Sequence, residues 1–185
     1  MLDEDPVLIT APYYEKLDKI LKSPLYDCLK LMPKPAIHHT HDTATADVEF
    51  LIGLTYNDFV FYSEKANLFF TNKKGCNLPG YIKVNTLRQY AKNALAFDNS
   101  LKEKILLRPT CPEDHGIWAD FQPKFMLTNH LYNYADFFER IIYRSSKNYV
   151  KEMVTIVEYR HIFGFLFDEE GPLSVERELE IFYRV

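Results

Sequence analysis

At 185 residues, with 47% apolar and 26% charged side chains, the chain has the make-up of one packed domain and not of a disordered or fibrous protein. Its net charge is −4, and Lys and Arg are scattered through helical segments without a basic stripe, which argues against nucleic acid or anionic lipid as a partner. The longest apolar runs, Phe50 to Leu54 and Ala94 to Phe97, fall far short of the ~20 residues that span a bilayer, so no transmembrane helix is expected.

The chain starts Met1-Leu2-Asp3-Glu4-Asp5, acidic where a secretory signal has a basic and then an apolar region, so no export signal is read there. Cys28, Cys76 and Cys111 are widely spaced without a Cys-x-x-Cys pair, and no Asn-x-Ser/Thr acceptor is present, which leans toward a reducing compartment. From Pro12 to Leu21, Tyr13, Leu17, Ile20 and Leu21 recur at helical spacing, with Thr10 as cap and Pro12 in the first turn. Ser23-Pro24 restarts a second helix carrying Leu25, Cys28, Leu29 and Leu31, which ends before Pro33 and Pro35. Ala36 to His41 reads as a short strand, and Asp47 to Leu54 as one or two helical turns. Asp58 to Tyr62 and Asn67 to Thr71 alternate as a hairpin around Ser63 to Ala66. A loop follows from Gly75 to Gly80, then helices over Thr86 to Ala96 and Ser100 to Leu107, broken by Pro109 and Pro112. Ile117 to Val150 has helical spacing with a bend near Asn129 to Asn133. Met153 to Tyr159, rich in β-branched residues, predicts a buried strand, and Ser174 to Tyr183 a last helix. This order predicts an α/β architecture with parallel strands.

The stretch richest in chemistry is Lys34-Pro35-Ala36-Ile37-His38-His39-Thr40-His41-Asp42. Side chains on a strand alternate with period two, so His39 and His41 share one face while His38 and Thr40 take the other. Two imidazoles on one face can share a metal ion, and zinc accepts neutral imidazole nitrogen at ~2.0–2.1 Å. On spacing alone, a metal pair and a satisfied histidine cluster both remain open.

Met32-Pro33-Lys34, followed by His39-Thr40-His41-Asp42, resembles the signature that opens the barrel of the adenosine deaminase-related growth factors, a branch of the adenosine deaminase family. Phe97-Asp98-Asn99-Ser100-Leu101 and Ile117-Trp118-Ala119-Asp120-Phe121 are similar to further family segments. Val157-Glu158-Tyr159-Arg160 is similar to the family's second barrel strand. The resemblance implies the amino-terminal part of a (β/α)8 TIM-type barrel of the metal-dependent hydrolase kind. Residues 1–31 would be a pre-barrel helical segment and 32–185 the start of the barrel domain. A closed barrel typically needs ~250 residues, so it is expected to be incomplete here.

By the same resemblance His39 and His41 would be the first two ligands of zinc (Zn2+), and the substrate a purine nucleoside, adenosine. Asp42 would meet a ribose hydroxyl, with Trp118, Phe121, Gln122 and Phe125 around the nucleoside. Core packing is the plain reading of Trp118, Phe121 and Phe125, and a turn or cap that of Asp42. Family members usually carry Glu where Gln122 stands and Gly where Pro35 stands, so this pocket has one charge fewer and a different lead-in to the strand. Family chemistry is zinc-activated water attacking C6 of the purine, giving inosine and ammonia. It also needs a third His, a proton-donating Glu, another His and a zinc-binding Asp from later strands. No catalytic residue is therefore assigned here, and the chain alone is expected to be inactive. His115, His130 and His161 read as surface or core histidines, although His161 follows a strand, where barrel active-site groups collect. The alternative is a truncated, non-catalytic binding or interaction protein. Family members are generally exported, which leaves the compartment open, as is the oligomeric state.

Overall fold

The computed structural model describes residues 13–107 and 117–185. Thr10, Pro12, Pro109, Cys111, Pro112 and His115 lie outside the described residues. Helices α1 (Tyr13–Leu21) and α2 (Pro24–Lys30) come first, and Ser23 starts α2 by accepting from the Leu25 N–H at 3.2 Å. Their apolar stripe exists as predicted, yet Leu17, Leu21, Leu25 and Leu29 all stay substantially exposed. Strand β1 (Ala36–His41) follows, then a 3-10 turn at Asp42–Ala44. Helix α3 (Val48–Leu54) is capped by Asp47, whose carboxylate accepts from the Phe50 N–H at 2.8 Å.

The predicted hairpin is present as β2 (Val60–Ser63) against β3 (Leu68–Thr71), turning through Asn67 at φ 52°. A two-residue strand β4 (Ile82–Lys83) pairs on the other side of β2. Helices α4 (Val84–Tyr90) and α5 (Ala94–Ile105) differ from the predicted pair. The break falls at Ala91, whose ψ of 139° is extended, and Asn93 caps the new helix through the Ala96 N–H. Helices α6 (Ile117–Asn133) and α7 (Ala135–Lys151) meet at Tyr134, whose extended ψ of 120° turns the chain just beyond the predicted bend. Strand β5 (Ile156–Arg160) starts later than predicted because Met153 takes a left-handed φ of 58°. A small hairpin, β6 (Phe167–Asp168) and β7 (Gly171–Pro172), leads into α8 (Val175–Arg184), which Ser174 caps.

The result is a mixed α/β fold of helices around small sheets, with no closed barrel among the described residues. The parallel strands expected from sequence are β1 and β5, paired in register from Ala36↔Ile156 to His41↔Arg160. Between Ile37 and Thr40 the register shifts, so β1 carries an extra residue at His38–His39. The core lies elsewhere. Helix α7 faces two ways, with Phe137 and Ile141 packing against β2, β3 and Leu131 of α6, and Phe138 and Ile142 against Leu166, Leu173 and Ile181. These i, i+4 pairs form adjacent rows on one helix, and each fully buried side chain of this size stabilises the fold by roughly 1.5–3 kcal/mol. Among the described residues no helix is long and apolar enough to cross a membrane.

Candidate functional site

At the carboxyl end of β1 the imidazoles of His39 and His41 converge, with Nε2 to Nε2 at 3.2 Å and ring centres 5.1 Å apart. His38 points elsewhere and pairs through Nδ1 with Glu158 Oε1 at 3.2 Å, while Thr40 Oγ1 lies 3.5 Å from the Tyr149 hydroxyl. The bulge breaks strict alternation: His38 and His39 are both exposed and meet Glu158 and Arg160, which pair with each other at 3.4 Å, while His39 and His41 keep a common face. At 3.2 Å the two Nε2 atoms are close enough that His39 and His41 would both serve a single ion as ligands.

Arg160 bears on this pair. Its Nη2 donates to the His38 carbonyl at 2.9 Å and its Nε donates to His39 Nδ1 at 3.3 Å. With Nδ1 accepting from Arg160, Nε2 is the His39 nitrogen left to face His41. To hold an ion through Nε2, His39 would carry its proton on Nδ1 and give up the bond from Arg160 Nε. The donor chemistry fits zinc, but among the described residues no group of three His, Cys, Asp or Glu side chains is placed to hold an ion. The pair is half of a ligand set.

The next residue along, Asp42, is buried in the turn after β1. Its Oδ1 accepts from the Thr43 N–H at 2.7 Å and its Oδ2 is bonded to His161 Nδ1. The other ring nitrogen, Nε2, lies 3.0 Å from Oε2 of Glu178, which is 0% exposed. Glu178 also accepts from the Gly164 and Leu166 N–H groups at 3.1 and 3.2 Å. Gly164 reaches that position at φ 87°, a left-handed conformation that glycine adopts without strain. Phe138, Phe163 and Phe182 enclose the imidazole, with ring centres 4.7–5.3 Å away. Burial pushes the His161 pKa down, but hydrogen bonds to Asp42 and Glu178 outweigh it and hold the pKa above the ordinary value. With both ring nitrogens facing carboxylates, both are placed to donate, an arrangement that favours the imidazolium form.

His41, Asp42, Asn129, Asn133, Arg160 and His161 line a cavity of about 170 Å³. A second cavity, about 330 Å³, borders the same turn at Thr43 and Ala44, with Phe121, Phe125, Leu51, Ile105, Lys124 and Tyr132 in its wall. Thr43 borders both. Of the predicted pocket residues, Phe121 and Phe125 thus face a cavity. Trp118, 72% exposed, packs edge-on against Phe121 at 5.6 Å, and Gln122 is exposed; neither lines this cavity. The core reading of Trp118 is not what the structure shows. His130 is a core histidine, held between Phe70 and Phe167, and burial lowers its pKa.

Sequence reasoning missed Glu178 and the part played by His161. The one available signal was the position of His161 directly after a strand; nothing in the spacing couples it to a helix 17 residues on.

No family model matches the chain. It is 25% identical over 168 residues to adenosine deaminase 2-A of Danio rerio, covering 83% of this chain and 33% of that protein. It is 25% identical over 185 residues to an adenosine deaminase of Phlebotomus duboscqi, covering 94% and 36%. With human adenosine deaminase 2 the identity is 23% over 187 residues, covering 90% and 37%. The chain spans about a third of the length of the curated relatives it matches. Over most of its own length it is related in sequence to the adenosine deaminases.

Proposed function

We propose that this chain is the amino-terminal part of a zinc-dependent purine nucleoside deaminase, with residues 1–31 preceding a (β/α)8 barrel and 32–185 opening it. The observation that carries the reading is the convergence of His39 and His41 at the carboxyl end of a parallel strand, the end where barrel enzymes place their chemistry. Sequence relatives named adenosine deaminase support it. Zinc held there supplies Lewis-acid activation of water for hydrolytic deamination.

The chain's own residues have narrower tasks. His39 and His41 would hold the ion through Nε2, and Arg160 fixes the β1 backbone through the His38 carbonyl. Phe121 and Phe125 offer an apolar wall to a purine in a cavity of about 330 Å³, a volume at the lower end of the range for small-molecule pockets. Thr43 borders both that cavity and the smaller one lined by His41 and Asp42, where a ribose would lie. Trp118 and Gln122 stand outside this wall and reach a nucleoside only if the helix turn that carries them shifts.

A second reading is a non-catalytic binding protein, favoured by the two-donor site, since no third metal-binding side chain joins the pair among the described residues. Sequencing the transcript past Val185 separates the two. Continuation into segments with another His, a His-x-x-Glu and an Asp-Asp pair supports the hydrolase. A stop codon directly after Val185 contradicts it, and adenosine then yields no ammonia.

A further inference from the structure

We infer that His161 is a positioning residue for the imidazole pair, clamping the carboxyl ends of β1 and β5 to α8 through Asp42 and Glu178. The inference deepens the metal reading of His39 and His41 and rests on it for its zinc consequence only.

The geometry makes the case. Beyond the bulge, the β1–β5 ladder has only two residue pairs, Thr40↔Tyr159 and His41↔Arg160. The next pair in that register is Asp42 and His161, and there the ladder continues through side chains. Two strand pairs with open edges resist fraying weakly, because a two-stranded ribbon is at best marginally stable in water. A buried imidazolium between two carboxylates resists it strongly. Separating any member leaves a charge without a partner in a site that is 0–8% exposed at the side chains. Glu178 also binds the Gly164 and Leu166 N–H groups, so the chain after β5 is fixed to α8 at the same point. His41 is the residue before Asp42, so its Cα and ring direction follow the clamp, and with them the 3.2 Å approach to His39. The imidazolium also takes Asp42 Oδ2 for the protein itself, so Asp42 acts on the site through the backbone it anchors.

The test compares wild type with His161→Gln, which keeps the volume and one N–H donor but loses the charge. Hydrogen exchange should show Thr40, His41, Tyr159 and Arg160 losing protection by at least ~10-fold while α6 and α7 amides keep theirs. Zinc alone, titrated calorimetrically, should bind ~10–100-fold more weakly, the usual effect of removing a group that orients metal ligands. A folded variant with unchanged strand protection and unchanged zinc affinity overturns the inference. Uniform loss of protection across core and strands also overturns it, since that marks a general stability role. If wild type itself binds no zinc, the metal reading falls and the exchange arm alone still decides this one. Should His161→Gln not fold, the ring nitrogens of the wild-type protein decide by NMR. Two protonated nitrogens on His161 at neutral pH, with local strand loosening in Glu178→Gln, support the clamp; one bare nitrogen overturns it.

Discussion

On α7 the rings of Phe137 and Phe138 are buried on two sides of one helix, whereas on the β1–β5 pair His38, His39 and Ile156 stand in solvent. The first region is held by apolar area removed from water, spread over many side chains from five or more elements. The second is held by a short ladder, Arg160 and one buried ion cluster. Apolar cores fail by truncation and tolerate polar change at their margins. A site held by a few directed polar bonds fails when one partner is removed or changes charge. The candidate metal pair sits on the second kind of support, which leaves its imidazoles accessible and makes them dependent on His161.

The largest effect should come from the core. Phe138→Ala removes a 0% exposed ring that packs on Phe182 and His161, and should cost ~3–5 kcal/mol in denaturant unfolding. It should also loosen the β5 end, because that ring forms one wall around His161. A loss under about 1 kcal/mol would mean that the two regions are less coupled than their packing implies.

Two half-buried histidines give a pH signature that sets the regions apart. His161 has its pKa raised in the folded state, so its contribution is fully present below the unfolded value of about 6.5 and is lost as pH rises through the folded value. His130, buried among aromatic rings, has its pKa lowered, so the unfolded chain binds its proton more readily and stability falls as pH drops below about 6.5. From these two groups, thermal stability should peak near pH ~6.5. His161→Gln should erase the alkaline slope alone. An alkaline slope that survives in this variant would contradict the assignment.

How much of this was legible in the sequence depends on what each feature rests upon. Asp47 and Ser174 announced their helices because a capping side chain acts within three residues. The facing of His39 and His41 was legible for the same reason, since alternation is local. The break at Ala91–Asn93 was not, because Tyr90-Ala91-Lys92 has no strong breaker and only Asn93 marked the new start. Strands β4, β6 and β7, with two residues each, are too short to carry a period. The Asp42–His161–Glu178 cluster joins positions 119 and 17 residues apart, and such a distance leaves no trace in spacing. The parallel pair could be anticipated from element order, whereas its bulge at His38–His39 could not.

Smaller effects sharpen the contrast from the exposed side. Lys34→Ala breaks an ion pair with Glu152 whose side chains are 41% and 44% exposed, and should cost no more than about 1 kcal/mol. His39→Ala should leave stability within about 0.5 kcal/mol, because the ring is exposed and its bonds to Arg160 and His41 are solvent-facing. Calorimetric unfolding checks both.

The most direct measurement is a zinc titration of the folded chain beside His39→Ala and His41→Ala. One ion per wild-type chain, with binding lost in either variant at unchanged fold, is the predicted result. Equal zinc binding by all three proteins, or none by the wild type, would contradict the claim that these two imidazoles form a metal half-site.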